Sequence, residues 1–438
     1  MNQNMSVLEK LTTEIFPKLA AEGKFGRNIL RFVKFKPDEK FQAVDHFASS
    51  IYFGDVILAT KNRKYVSQSV VIKAQTGGKL NEIADKLSYN LQLYNEVLFY
   101  TEILPLLRRC DPDDTVTKLF PKCFYAHAVK DDPASGILVF ENLQKQGFRL
   151  SPWKTFNDFK HIELTLTWLG KFHALSLVCK KNYPEKFRSV INKILEPHWT
   201  EKRLKNPDDF FKENCKRGIL PLRDDPNYNH KVDDLLALVE NVDPAVAKMI
   251  SPIEPLAVIT HGDFNRNNIF YKYDSNNEPC EVKFIDWVTI RYASPVIDLT
   301  YYLFINSSPA VQAEHWVDIL TIYHSAVTSN PYLDPEFQLC FIELQIDIRR
   351  RGFFGYVWAS WYLPMMMSLE SEANDDWFKL TVDELIKCRL AAGGEKATML
   401  VTQLVRHMID LNFDFKYVFE SEVNKIEPLK IMRALNLV

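Results

Sequence analysis

The sequence predicts an α+β protein with two lobes: a small antiparallel sheet with one main helix, and a larger helical lobe. Two observations support this prediction. Short β-branched and aromatic runs dominate up to about residue 145. Beyond that point, apart from one hairpin, the apolar residues follow helical spacing. We therefore expect an N-terminal lobe of residues 1–145 and a C-terminal lobe of residues 146–438, joined by a short hinge at 141–148.

Four runs in the first lobe are predicted to be strands. They are Ile51–Ala59, Val66–Ala74, Cys123–Val129 and Ile137–Phe140. Between the second and third runs, apolar residues recur at helical spacing from Asn81 to Leu107, with an expected end near Pro105. This order predicts one helix packed on a small antiparallel sheet.

Composition and charge narrow the class of protein. The chain is 47% hydrophobic and 13% aromatic, enough to bury a large core. With 54 basic and 56 acidic residues the net charge is -2, which does not indicate a nucleic-acid partner. Residues Met1 to Lys10 lack the pattern of a secretory signal. Seven scattered cysteines without a Cys-x-x-Cys motif favour free thiols in a reducing compartment, so the cytoplasm is the expected location.

One uncharged segment, Gly352–Leu369, is almost long enough to span a membrane. Pro364 and the polar or aromatic residues near its middle instead favour a wholly buried core helix. Some of its aromatic residues, Trp358 and Trp361 among them, could line a ligand pocket. We expect no membrane partner. The preceding triplet Arg349–Arg351 is predicted to lie on a solvated helix face.

The most informative stretch is His261–Asn268, followed eighteen residues after Asn268 by Asp286. Phosphoryl transfer from ATP needs a carboxylate that orients the attacking hydroxyl and accepts its proton, and oxygen ligands that hold magnesium. Asp263 fits the first role, and Asn268 and Asp286 fit the second. Any one of these residues alone would be taken as a turn cap. Their combination indicates a phosphotransferase.

A hairpin is predicted to bring the two metal ligands together. Ile269 to Tyr273 has the pattern of a short strand, and a turn at 274–279 sends the chain back through a second apolar strand, Val282–Ile285. This second strand would deliver Asp286 beside Asn268.

Two charged residues of the first lobe fit the same chemistry. Lys73 closes the strand Ser69–Lys73, and Glu96 lies on the one helix predicted to pack against that sheet. In kinase folds, a lysine held by a helix glutamate grips the α and β phosphates of ATP. The alternative is a lysine that extends from a strand end and a glutamate on a solvated helix face. The downstream motif favours the functional pair.

Six stretches between Phe47 and Phe304 match one known family. They are the strand with Lys73, Tyr94–Pro105, Leu138–Leu143 with Gly147-Phe148, Leu169–Ser176, His261–Asn268, and Phe284–Leu299. The sequence resembles the ecdysteroid kinase-like proteins, also described as choline-kinase-like, in the aminoglycoside phosphotransferase branch of the protein-kinase-like superfamily. The resemblance implies a protein-kinase-like two-lobe fold. It also implies an ATP- and magnesium-dependent kinase acting on a hydroxyl of a small molecule, such as an ecdysteroid or an apolar xenobiotic.

The resemblance assigns a role to each residue of the motif. Asp263 becomes the catalytic base, Asn268 and Asp286 the metal ligands, and Lys73 with Glu96 the pair that grips phosphate. The first lobe would then bind the nucleotide, and the second would hold the catalytic loop and the acceptor.

The resemblance also implies roles for the hinge and for His261. Glu141, Asn142 and Leu143 would form the hinge whose backbone groups meet the adenine edge. His261 is expected to brace the catalytic loop rather than to react.

The chain departs from the family pattern in the loop expected over the ATP phosphates. Members usually carry Asn-Tyr-Ala-Ser there, whereas this sequence has His46-Phe47-Ala48-Ser49, with no glycine between Gly26 and Gly54. Small residues let backbone amides approach phosphate closely, a role left here to Ala48 and Ser49.

Two classes of function remain open at this stage. The first is a working small-molecule kinase, whose acceptor is an apolar alcohol or a choline- or aminoglycoside-type substrate. The second is a non-catalytic kinase-like module that holds a hydrophobic ligand, which only the altered phosphate loop favours. Neither the acceptor nor the oligomeric state follows from the sequence.

Overall fold

The computed structural model describes residues 6–38, 44–45, 50–75, 89–129, 132–369 and 382–419. The chain divides into two compact units. The first unit comprises Met1–Pro152, Cys179–His198 and His261–Arg291, and the second comprises Trp153–Val178, Trp199–Thr260 and Tyr292–Val438. The first unit therefore includes both the predicted sheet and the predicted catalytic loop. The lobe boundary at residue 145 stays a prediction.

The main sheet of the first unit is antiparallel, as predicted. Its strands are β1 (Ile29–Pro37), β2 (Val44–Asp45), β3 (Ser50–Thr60), β4 (Tyr65–Ala74), β5 (Cys123–Val129) and β6 (Asp132–Glu141). Their order is β1-β3-β4-β6-β5, with β2 paired to β3. Alternate residues such as Val56, Val70, Ile72 and Val139 are fully buried, as expected where one face of a sheet covers a core. All four strands expected from the sequence are confirmed.

Two helical segments accompany this sheet. The first runs through α1 (Val7–Lys10), a π-helical turn (Leu11–Ile15) and α2 (Phe16–Ala21). The second runs through α3 (Tyr89–Leu98), a π-helical turn (Phe99–Ile103) and α4 (Leu104–Arg108). Residues 81–88 of the predicted helix lie outside the described residues. The helical segment ends at Arg108, close to the predicted end near Pro105, which lies just after the π-helical turn.

A second sheet of the first unit contains the predicted hairpin. Strands β7 (Arg149–Leu150), β9 (Ile269–Tyr273) and β10 (Pro279–Phe284) pair in the order β10-β9-β7. In the turn of the hairpin, the Asp274 carboxylate accepts hydrogen bonds from the backbone N–H groups of Asn276 and Glu278. The strand β8 (Val258–Thr260) pairs with β11 (Arg291–Ala293) in a separate two-stranded sheet.

Most of the remaining described chain is helical. The helices are α5 (Phe159–Asn182), α6 (Pro184–Ile191), α7 (Glu201–Lys205), α8 (Phe210–Ile219), α9 (Val232–Glu240), α10 (Val242–Ile250), α11 (Val296–Asn306), α12 (Pro309–Thr328), α13 (Phe341–Arg351), α14 (Phe353–Leu369), α15 (Val382–Ala391) and α16 (Gly394–Asp410). Short 3-10 turns connect several of them. The predicted α+β class is confirmed.

Helix α14 is the uncharged segment that the sequence marked as a core helix. Phe354, Tyr356, Val357 and Ala359 are fully buried, so apolar residues on all sides of the helix are covered. Within the part of the chain that the structure describes, no helix combines the length and apolarity that a membrane span requires.

The predicted solvated face of Arg349–Arg351 is wrong at Arg351. Its side chain is 1% exposed, and its guanidinium pairs with the Asp347 carboxylate at 2.8 Å. The guanidinium also donates to the main-chain oxygen of Ser251 at 2.9 Å. A charged side chain is stable at this depth because polar partners surround it.

Candidate functional site

Residues His261–Asn268 form a loop that fixes the orientation of the Asp263 carboxylate. The side-chain amide of Asn265 donates to Oδ1 of Asp263 at 2.8 Å. The amide of Asn268 donates to Oδ2 at 3.0 Å and to the main-chain oxygen of Asp263 at 2.9 Å. Both asparagines are buried, whereas Asp263 is half-buried. The carboxylate is therefore held by two amides and keeps some exposure to solvent.

Asn265 is a residue of this loop to which the sequence analysis gave no role. Its Oδ1 also accepts from the backbone N–H of Asn267 at 2.9 Å and caps the 3-10 turn Arg266–Asn268. The one signal in the sequence is an asparagine two residues after Asp263, and this spacing is also the signature of an ordinary turn.

His261 connects the loop to the hairpin. Its Nε2 donates to the main-chain oxygen of Ile285 at 2.8 Å, and its Nδ1 accepts from the N–H of Asp263 at 3.3 Å. A neutral ring with its proton on Nε2 satisfies both contacts. The ring is fully buried, 4.5 Å from that of Trp287. These contacts support a bracing role for His261.

The hairpin places Asn268 and Asp286 at the same end of two paired strands. Phe284 pairs with Ile269, and the N–H of Ile285 donates to the main-chain oxygen of Asn268 at 3.0 Å. Asp286 adopts the left-handed conformation, with φ 67° and ψ 61°. This conformation is uncommon outside glycine but open to aspartate and asparagine. Such backbone strain is concentrated at functional sites.

Lys73 joins two carboxylates from distant parts of the chain. Its Nζ pairs with Glu96 Oε2 at 2.6 Å and also with the carboxylate of Asp286. The side chains of Lys73 and Glu96 are only 10% and 2% exposed, which rules out the alternative of a solvated strand end and helix face. Burial alone would lower the pKa of Lys73, but the charges of Asp286 and Glu96 outweigh it and raise the pKa above its ordinary value. The lysine therefore remains a cation.

The three hinge residues have different roles in the structure. The N–H of Glu141 donates to Lys122 O at 3.0 Å, and that of Asn142 donates to Ser69 O at 3.2 Å. The side chain of Asn142 caps the 3-10 turn 143–146. The N–H of Leu143 has no partner among the described residues. Of the three backbone donors, that of Leu143 is thus the one without a partner in the described protein.

Tyr100 is a second residue that the sequence analysis missed. It follows Glu96 by four positions and lies in the π-helical turn, and its ring centroid is 4.8 Å from that of Phe140, the residue before the hinge. The side chain is 7% exposed, and its hydroxyl has no hydrogen-bond partner among the described residues. Burial, followed by the charge of Glu96, raises the pKa of Tyr100 well above its ordinary value, so the phenol stays neutral.

The donor set of the site fits magnesium. Carboxylate and amide oxygens are the ligands that this ion prefers, and one or two carboxylates suffice because it retains several waters. The amide nitrogen of Asn268 faces Asp263, so its oxygen is directed away from that carboxylate. Within the described ranges, no three or more His, Cys, Asp or Glu side chains form a group that could hold a metal ion.

Ser49 and the rest of the expected phosphate loop, residues 46–49, lie outside the described residues.

Comparison with known proteins identifies the family. The sequence profile of the ecdysteroid kinase-like family matches residues 43–330, well over half of the chain. The chain belongs to the ecdysteroid kinase-like family. The matched region of this ecdysteroid kinase-like protein contains Lys73, Glu96, Asp263, Asn268 and Asp286. No curated protein matched the sequence significantly.

Several solved structures resemble this ecdysteroid kinase-like protein weakly. An ethanolamine kinase of Plasmodium vivax is 13% identical, with 86% of this chain and 83% of that chain covered and a TM-score of 0.39. A putative aminoglycoside phosphotransferase of Ralstonia eutropha is 13% identical, with 90% and 98% covered and a TM-score of 0.37. A microcompartment-associated aminopropanol kinase is 8% identical, with 87% and 95% covered and a TM-score of 0.38. These similarities are too low to indicate a substrate for this chain.

Proposed function

We propose that this ecdysteroid kinase-like protein is an ATP- and magnesium-dependent phosphotransferase that phosphorylates a hydroxyl group of a small molecule. The observation that carries the proposal is the buried pairing of Lys73 with Glu96 and Asp286. This pairing occurs in the same compact unit as the oriented carboxylate of Asp263. Burying a lysine beside two carboxylates is costly, because the charges must be desolvated. A site that handles phosphate and metal needs these groups.

Each residue of the site has a distinct role in the proposed reaction. Asp263, held by Asn265 and Asn268, orients the acceptor hydroxyl and accepts its proton. Lys73, held by Glu96, contacts the phosphates of ATP, and Asn268 and Asp286 would hold magnesium. The magnesium ion supplies charge that offsets the negative charge of the triphosphate.

The adenine edge is expected to meet the hinge at Leu143. Its N–H is the available donor, whereas those of Glu141 and Asn142 bond within the protein. Asn142 supports the hinge by capping the 3-10 turn and by its contact with Ser69 at 3.4 Å. Ser49 is proposed to contact the phosphates.

An apolar alcohol, such as an ecdysteroid or a xenobiotic, is the proposed acceptor. Support comes from the family to which the chain belongs. A non-catalytic ligand-binding protein is the alternative, and the altered sequence at 46–49 favours it.

All seven cysteines are free, which supports a reducing compartment such as the cytoplasm.

The test is transfer of the γ-phosphate of labelled ATP to a panel of steroid, choline-like and glycosidic alcohols, with and without magnesium. Transfer to a steroid alcohol that requires magnesium would support the proposal. A protein that ATP and magnesium stabilise against heat, but that phosphorylates no member of the panel, would favour the non-catalytic alternative.

A further inference from the structure

Arg291 is a buried cation that plays no part in the mechanism above. Its side chain is 3% exposed, and its guanidinium forms a bidentate pair with the Glu196 carboxylate: Nε to Oε2 at 2.6 Å and Nη2 to Oε1 at 3.0 Å. Nη2 also lies 3.2 Å from Nδ1 of His198. Two parallel hydrogen bonds fix the plane of a guanidinium as well as its position.

The remaining nitrogen of Arg291 connects two loops of the candidate site. Nη1 donates to the main-chain oxygens of Gly262 at 3.3 Å and Thr289 at 3.2 Å. Gly262 directly precedes Asp263, and Thr289 follows Asp286 by three residues. One cation therefore bonds the loop that holds the predicted base and the loop that follows the predicted metal ligand.

The two loops pack so closely at Gly262 that no side chain would fit there. Gly262 has φ +83°, and a Cβ at this position would overlap both the main-chain oxygen of Thr289 and Nη1 of Arg291. The hydroxyl of Thr289 also donates to the main-chain oxygen of His261 at 3.1 Å. The loops meet at hydrogen-bond distance on both sides of the glycine, so a shift of Arg291 would be transmitted to both.

Glu196 maintains the charge balance that keeps Arg291 in place. Burial alone would raise the pKa of Glu196, but the guanidinium of Arg291 outweighs it and lowers the pKa below its ordinary value. The carboxylate is therefore ionised at neutral pH. Removing Glu196 would leave the guanidinium of Arg291, which is 3% exposed, as a buried charge without its carboxylate partner.

We infer that Arg291, anchored by Glu196, is a positioning residue that sets the Asp263 loop against the Asp286 loop. The consequence for catalysis rests on the proposed function, whereas the consequence for loop order does not. A lysine in place of Arg291 offers a point charge and cannot make the bidentate pair and the two carbonyl contacts together.

The experiment compares Arg291→Lys and Glu196→Gln with a matched control, Arg203→Lys. Arg203 is also a buried arginine paired with two carboxylates, Asp243 at 2.9 Å and Asp208 at 3.1 Å, but in the second unit. Amide hydrogen exchange at 261–268 in the nucleotide-free protein is the first readout. The second is the separation of kcat from the KM for ATP.

Both test variants should exchange faster at 261–268 and lose about a hundredfold in kcat, with little change in the KM for ATP. Arg203→Lys should change neither readout. If Arg291→Lys does not fold, Glu196→Gln carries the test, because it keeps the shape of the side chain but removes the charge and one of the two oxygens that accept from Arg291.

Three other outcomes are decisive. Unchanged exchange at 261–268 would overturn the inference whether or not the protein transfers phosphate. Faster exchange with normal kcat in an active protein would also overturn it, because the loops would then need no positioning. Faster exchange in a protein whose wild type transfers no phosphate would refute the proposed function and support the role of Arg291 in holding the loop.

Discussion

Lys73 and Asp286, 213 residues apart in the sequence, form a direct ion pair in the interior of the first unit. Lys73 is the penultimate residue of β4 in the main sheet, and Asp286 follows the hairpin strand β10. Glu96 of helix α3 holds the same ammonium group, so one cation links three elements. In the proposed reaction, Lys73 and Asp286 act on the same triphosphate. Their pairing brings the strand that holds Lys73 and the end of the hairpin into direct contact.

Lys73→Met should weaken ATP binding and destabilise the protein. The change removes the proposed phosphate contact and leaves Glu96, which is 2% exposed, with a buried charge and no lysine partner. Breaking a buried pair in this way costs about 3 kcal/mol or more of the free energy of unfolding. Chemical denaturation and ATP titration measure the two effects. Adding Glu96→Gln to Lys73→Met should restore most of the stability and none of the ATP affinity; recovery of affinity would place the lysine outside the nucleotide site.

Asp263→Asn should reduce turnover by about a hundredfold or more and leave ATP binding largely unchanged, because it removes proton acceptance and little nucleotide contact. The measurement is kcat with saturating acceptor, together with ATP affinity by calorimetry. Asp274→Asn is the matched control, since Asp274 only caps the hairpin turn. A variant with half of the original activity would remove Asp263 from the mechanism.

Asp286→Asn and Asp286→Ala should both abolish the part of ATP binding that depends on magnesium. Asn268, the other proposed ligand, is neutral and would hold a hydrated dication poorly. The two variants should differ in stability. Asparagine tolerates the left-handed φ of 67°, whereas alanine at this position should lower the free energy of unfolding by about 1 kcal/mol more. ATP calorimetry at several magnesium concentrations tests the first claim and thermal melting the second. A normal gain in ATP affinity with magnesium would contradict the assignment of the hairpin.

The sequence predicted the parts of this site that depend on local pattern. Alternation and turn residues located the strand that contains Lys73 and the hairpin that precedes Asp286, and the spacing from Asp263 to Asn268 identified the loop. The residues it missed act through contacts between distant segments. Arg291 and Glu196 are 95 positions apart, and neither stands out in its local sequence. Tyr100 was hidden because its place depends on a π-helical turn, which shifts the helical register that periodicity assumes.

Tyr100→Phe should stabilise the nucleotide-free protein by about 1 kcal/mol, because it removes a buried hydroxyl that has no partner among the described residues. The ring contacts with Phe99 and Phe140 are retained. Chemical denaturation of both proteins without nucleotide provides the measurement. A loss of stability would mean that the hydroxyl is satisfied in solution. A higher KM for ATP in the stabilised variant would instead show that the hydroxyl serves the nucleotide.

Trp361→Ala should raise the KM for the acceptor and leave that for ATP unchanged, if the aromatic cluster of the second unit lines the acceptor pocket. Trp361 is half-buried and contacts the rings of Phe210, Trp358 and Tyr362. Losing a buried aromatic contact costs a ligand on the order of 1 to 3 kcal/mol, or roughly ten- to a hundredfold in affinity. Trp358→Ala is the comparison, because Trp358 is 7% exposed and its loss should mainly lower the free energy of unfolding, by about 3 kcal/mol. Acceptor kinetics and thermal melting of both variants separate the two roles. If Trp361→Ala also melts much earlier with unchanged acceptor constants, the cluster is core alone and the acceptor binds elsewhere.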